Sequence, residues 1–150
     1  MIAARANCYI NPARSLLALV LICAAGTANA ATPDCDTNAE ACVRWAVAEV
    51  ATYVEVCGML LPDFRDRLTG AYARWGVLKL PIPGLDVALR PDSPQRVALG
   101  KKILPYMRAL MPYEREIECW NRYSLMQSKP PRLEADYVRL PRGALAPYLK

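Results

Sequence analysis

Between Arg44 and Glu55 the chain carries a single charge, Glu49, and from Thr37 to Cys57 it contains neither proline nor glycine. Alanine, valine and aromatic residues fill nearly every position in between. A helix that is apolar on almost all of its faces must be covered on almost all of its faces. The segment therefore predicts a central, buried helix to about Cys57, with the remaining elements arranged around it. Thr37-Asn38-Ala39-Glu40 reads as a capping box at its start, and Gly58 reads as its end. Glu49 then needs an explanation. A carboxylate on a buried helix is paired, for instance with an arginine, or held in its neutral form by a raised pKa, or it sits at an exposed edge. Perturbed carboxylates also mark sites, which makes Glu49 a candidate functional residue. An internal ion pair or an exposed edge is the commoner explanation.

Cysteines stand at both ends of this helix. Four lie beyond residue 30: Cys35, Cys42, Cys57 and Cys119. A helix rises about 1.5 Å per residue, so Cys42 and Cys57 are separated by about 22 Å. A disulfide requires alpha carbons within about 7 Å. That removes Cys42–Cys57 and, with it, Cys35–Cys119. Cys35 precedes the helix while Cys57 ends it, so a short leader cannot join them either. The pairing that remains is Cys35–Cys42 with Cys57–Cys119.

Disulfides imply an oxidising compartment, and the amino terminus agrees. Arg5 and Arg14 precede an uncharged apolar run, Ser15 to Ala25, and Ala28-Asn29-Ala30 offers small residues for cleavage. This is the layout of a secretory signal peptide, expected to span residues 1–30 and to carry off Cys8 and Cys23. The apolar run is too short for a transmembrane anchor, which needs roughly 20 apolar residues. Ile22 is too large to precede an acylated Cys23. No later stretch is long enough to span a bilayer. The expected location is periplasmic or secreted, and abundant arginine, alanine and proline suggest a GC-rich bacterial source.

The remaining helices are read from periodicity and proline. Pro62-Asp63 opens a second helix with Phe64, Leu68, Ala71, Tyr72 and Trp75 on one stripe, ending at Gly76. From Gly76 to Pro94 four prolines (Pro81, Pro83, Pro91 and Pro94) argue against a helix. Pro83-Gly84 could turn a small hairpin, the alternative being an irregular strap over the core. Ser93-Pro94 caps a third helix, with Val97, Ile103, Leu104, Met107, Leu110 and Met111 as its apolar positions and Pro105 expected to kink or split it. Pro112 begins a fourth, with Tyr113, Ile117, Trp120 and Ser124 along one face. The fold class is thus all-α: about four helices and a proline-rich loop or small hairpin, closed by two disulfides, over residues 31–127.

Residues 128–150 form a proline-punctuated tail. The chain has 19 basic and 14 acidic residues, +5 overall and +3 without Arg5 and Arg14. Residues 31–127 hold 12 of each sign, so the excess lies in the tail, at Lys129, Arg132, Arg139, Arg142 and Lys150. Leu133, Tyr137, Leu140, Leu145, Tyr148 and Leu149 are too many large apolar groups for a free terminus, so the tail should lie at least partly on the body. Nucleic acid is a poor partner for an exported protein with a neutral body. An anionic envelope surface could attract the tail, although a charge of +3 steers weakly.

The chain has no histidine, which removes the Ser-His-Asp and Cys-His arrangements and most zinc hydrolase sites. Its cysteines are expected to be oxidised, their spacing fits no zinc module, and no glycine-rich phosphate loop occurs. No cofactor or metal is expected. Carboxylates are what is left for an enzyme. Glu114 and Glu118, four residues apart on the fourth helix, could act as acid and base on a glycan; acidic residues are also commonly placed at a helix start by the helix dipole. Trp45, Trp75 and Trp120 are expected in the core. Tyr72 with Trp75, at the end of the second helix, would mark a partner surface if exposed. The expected function is non-enzymatic: an exported protein that recognises another envelope or secreted protein, in the manner of inhibitors of wall-degrading enzymes or immunity proteins. The alternatives are a small carboxylate-based glycan-cleaving enzyme and a carrier of an apolar ligand held between the first and fourth helices.

Overall fold

The structure is a computed structural model that describes residues 31–149. The export segment read at residues 1–30 lies outside the described residues. Among those described there is no strand, and five α-helices are present: α1 (Ala39–Leu60), α2 (Arg65–Ala73), α3 (Leu85–Ala88), α4 (Pro94–Ala109) and α5 (Pro112–Gln127). α1 is the axis, with the other four packed on it. From Cys42 to Gly58 every residue of α1 except Arg44 and Glu55 is buried. The expectation from its composition holds, because no face is polar enough to leave in water.

The ends of α1 differ from the sequence reading. Asn38 is the cap, its side-chain oxygen accepting from the Ala41 amide at 2.9 Å. The Thr37 hydroxyl turns back instead to the carbonyl and carboxylate of Asp34, and Glu40 pairs with Arg44 one turn on. Asn38→Ala should lower stability by about 1 kcal/mol, read from urea denaturation, whereas Thr37→Ala should cost less than half as much. Gly58 does not end the helix. It lies inside it, and its missing side chain leaves room for Arg65, whose Nε donates to the Gly58 carbonyl at 3.0 Å. Pro62 is the stop: the residue before a proline is turned out of the helical region, and Leu61 lies at φ −129°, ψ 75°.

A 3₁₀ turn over Pro62–Phe64 leads into α2, which presents Leu68 and Ala71 to α1; Trp75 follows, fully buried. No hairpin forms after it. Gly76–Lys79 is a 3₁₀ turn and Leu85–Ala88 a single helical turn, entered through Gly84 at φ 67°. That turn corrects the expectation that the prolines exclude helix, since it fits between Pro83 and Pro91 without containing either. Val77, Ile82, Leu85 and Ala88 are buried, so the segment is a strap over the core. Gly76 permits its close contact with the tail: a Cβ there would lie 2.7 Å from Cγ of Pro131. Neither the proline ring nor a helix-bounded backbone yields easily, so Gly76→Ala should cost about 1–3 kcal/mol, measured as a lowered urea midpoint.

Ser93 caps α4 as expected, accepting from the Arg96 amide at 3.2 Å and donating to the Ala88 carbonyl at 2.9 Å. α4 is not split at Pro105; it is continuous from Pro94 to Ala109, in a fold that includes a bent helix. Pro105 and Lys101, whose carbonyl loses its helical partner, are both exposed, so water can serve that carbonyl. Leu99, Ile103 and Met107 form the buried stripe of α4, while Val97 and Met111 are exposed.

Both disulfides join the cysteines that the helix geometry selected. Cys35–Cys42 has alpha carbons 5.5 Å apart, and Cys57–Cys119 has them 5.8 Å apart. The first holds the leader on the start of α1, and the second ties the end of α1 to α5. The tail lies on the body, burying Val138 and Leu145 and closing with a 3₁₀ turn at Ala146–Tyr148.

Candidate functional site

Two places gather side chains that could act. The first is buried. Glu49, 1 % exposed in the middle of α1, accepts from the backbone amides of Asp136 at 2.6 Å and Tyr137 at 3.2 Å. It is therefore not paired with an arginine, and it is not at an exposed edge. Its two oxygens hold the tail. The tail answers with its own carboxylate: Asp136 accepts from the Tyr53 hydroxyl at 2.9 Å and is paired with Arg122 of α5. Tyr53 lies one turn after Glu49 on α1, and the Arg122 guanidinium sits 4.2 Å from its ring centroid. Glu118 approaches Arg122 at 3.9 Å. α1, α5 and the tail thus share one polar cluster.

Burial pushes the Glu49 carboxyl up to about 6 from its ordinary 4.5; the two backbone amides oppose that rise without cancelling it, and Asp136 adds to it. Burial also raises the Tyr53 hydroxyl. In Arg122 burial acts downward, but the charge of Asp136 and the bond with Tyr53 outweigh it and hold the guanidinium above its ordinary value. With both Glu49 oxygens taken by amides, this carboxylate is an anchor. The Cys57–Cys119 bridge and Arg122 stacked on Tyr53 lie between α1 and α5.

Glu114 and Glu118 do not converge on a cleft. Glu114 caps α5, accepting from the Met111 amide at 2.9 Å, and Glu118 turns toward Arg122. Arg115 caps the end of α4 instead, donating to the carbonyls of Met107 at 2.9 Å and Leu110 at 3.1 Å. Trp75 is fully buried and Tyr72 half-buried beside it, with ring centroids 6.3 Å apart. They belong to the core, as does Trp45.

The second place is on the surface, and it reverses an expectation. Trp120, expected in the core, lies on an α5 stripe that faces out: Tyr113 is 62 %, Ile117 53 % and Trp120 39 % exposed, with Ser124 exposed on the same line. The buried face of α5 is Cys119, Arg122, Leu125 and Met126, on the opposite side of the helix. The disulfide makes the selection. Cys119 must face Cys57, and on a helix that turns Tyr113, Ile117 and Trp120 away. The cysteine was the sequence signal for this rotation.

Trp120 does not stand alone. Its ring centroid is 4.6 Å from that of Phe64 and 5.3 Å from that of Tyr123, and Phe64 lies 5.7 Å from Tyr123. These contacts join the start of α2 to α5 and brace the indole. A cleft of about 410 Å³ opens between Leu60–Phe64 and Trp120, with Asp63, Arg67 and Glu116 on its margin. A shallower depression of about 470 Å³ continues along Tyr113, Ile117 and Asn121. Elsewhere, a groove of about 500 Å³ lies between the leader and the tail, lined by Asp34 and Asp36 together with Arg139 and Arg142. Among the described residues no three metal-ligating side chains gather in one place, and no helix is long and apolar enough to cross a membrane.

Comparison with known protein families, curated proteins and solved structures finds no match to this chain.

Proposed function

We propose that this is an exported, non-enzymatic binding protein that recognises another envelope or secreted protein through the outward face of α5, in the manner of an inhibitor or an immunity protein. The observation that carries the reading is the open line of Tyr113, Ile117 and Trp120, with Trp120 braced by Phe64 and Tyr123. Large apolar side chains in a continuous exposed row mark interaction surfaces, and a rigid tryptophan at their centre has the character of a binding hot spot. The two disulfides suit an oxidising compartment. Further support comes from the carboxylates considered for catalysis, which are engaged as an anchor, a cap and an ion-pair partner.

The test compares wild type with Trp120→Ala and Ile117→Asp, each tagged and purified from the periplasm of its native host. Ile117 is exposed, so Ile117→Asp should unfold within about 0.5 kcal/mol of wild type; Trp120→Ala also removes the ring contacts with Phe64 and Tyr123 and should cost about 1–3 kcal/mol. A stoichiometric protein complex present with wild type and lost with both variants is the expected result. An equally stable complex with the variants, or peptidoglycan cleavage by the purified wild type, would end the reading.

A further inference from the structure

On the proposed α5 face, we infer that the partner is a cationic amphipathic segment that lays an apolar row along Tyr113 and Ile117 and places an arginine or lysine in the cleft lined by Leu60–Phe64, Glu116 and Trp120. The inference rests on the reading that this face is the contact surface. It adds the chemistry of what binds there.

Charge is the argument. α5 has two arginines, and both are occupied elsewhere: Arg115 on the carbonyls ending α4, and Arg122 on Asp136 and Tyr53. Neither reaches the outward face. Glu116 and Asp63, which flank the cleft, stand in no ion pair among the described residues. Among the described residues Arg67 is the one cation lining the cleft, set against these two carboxylates. The cleft therefore combines open aromatic surface, aliphatic walls from Leu60 and Leu61, and an uncompensated negative charge. A guanidinium or ammonium over an indole face is attracted by the ring quadrupole. Its methylene stem covers apolar surface while its head meets the carboxylates. An acidic or purely apolar partner would leave Asp63 and Glu116 desolvated without a counter-charge.

Two other occupants fit less well. A second copy could meet this face by a two-fold axis perpendicular to α5, which runs the helix antiparallel to itself about Ile117. That geometry brings Glu116 near its own twin, where like charges repel. The chain's basic tail is already seated on α1 through Glu49.

The experiment uses the mature protein labelled with nitrogen-15 and three helical peptides of equal length. One carries a leucine row flanked by arginines. In the second, citrulline replaces each arginine, and in the third, glutamate. The arginine peptide should shift the Trp120 indole resonance and the α5 amides, and bind about tenfold more tightly than the citrulline peptide. The glutamate peptide should be weaker still. Asp63→Asn with Glu116→Gln should remove that preference, and Trp120→Ala should weaken the arginine peptide about thirtyfold. Equal binding of the arginine and citrulline peptides, shifts that map away from α5, tighter binding of chitotetraose than of the arginine peptide, or concentration-dependent dimerisation through α5 would each overturn the proposal. The two levels separate cleanly. A native partner lost on Trp120→Ala but indifferent to Asp63→Asn with Glu116→Gln retains the contact face and refutes the cationic occupant. A native partner indifferent to Trp120→Ala refutes the face itself.

Discussion

Replacing Cys57 and Cys119 together by serine should lower the unfolding free energy by about 4 kcal/mol, the largest effect expected of any substitution considered. The bridge joins residues 62 apart in sequence. In the chain-entropy description, that long closure restricts the unfolded ensemble far more than a short one does. For a domain of this size the loss corresponds to a fall of on the order of 15 °C in the thermal midpoint. The comparison that tests the mechanism is the Cys35, Cys42 pair, which closes a separation of only 7. Its removal should cost about 2 kcal/mol on the same description. Urea denaturation of both double variants, under oxidising conditions, gives the two numbers. Equal losses would show that loop length does not govern the stabilisation. The long bridge has a second consequence, because Cys119 sets which way α5 faces. Without it the Phe64, Trp120 and Tyr123 cluster should loosen, visible as a red shift of tryptophan emission in the folded state.

Glu49→Ala should cost about 2–4 kcal/mol at pH 7. It leaves the amides of Asp136 and Tyr137 inside the protein without an acceptor, and a hydrogen bond to a charged group contributes about 1.5–3 kcal/mol. The tail should be released first, so amide exchange of Asp136 and Tyr137 should accelerate more than that of α1. The pH dependence follows from the same burial. The Glu49 carboxyl titrates at about 6 in the folded protein, against an ordinary 4.5. Between those values the folded chain binds a proton that the unfolded chain does not. Stability from this group is therefore fully present below pH 4.5, falls as pH rises through 6, and is level above that. The span is about 2 kcal/mol. Glu49→Gln cannot titrate, so its stability should change less over this interval than that of wild type. Urea midpoints at pH 4.5, 5.5 and 7 measure the difference. Parallel profiles for the two proteins would show that Glu49 does not titrate in this range.

Where local chemistry was sufficient, the chain could be read directly. The absence of proline, glycine and surface charge between Arg44 and Glu55 required a buried α1. Ser93-Pro94 and Pro112 opened helices because the cap and the fixed proline dihedral act within one turn. The errors share a cause. Thr37, Gly58 and the Pro83–Pro91 interval each had a plausible local role that a neighbour filled or removed: Asn38 took the cap, Arg65 used the space at Gly58, and a single turn fitted between the prolines. On α5 the periodicity correctly identified a stripe of Tyr113, Ile117, Trp120 and Ser124. Periodicity locates a stripe without saying whether the protein itself supplies anything to cover it.

The all-helical class, the central position of α1 and both disulfide pairings were determined by the amino-acid order alone. They depend on the rise of a helix and on the solvation of its faces, which are properties of short stretches of chain. The rotation of α5 and the destination of the Glu49 carboxylate were decided only by the tertiary structure. One depends on a covalent bond 62 residues distant, the other on backbone amides 87 and 88 residues away. Backbone donors are the same at every position, so no side-chain pattern could announce which of them a buried carboxylate would find.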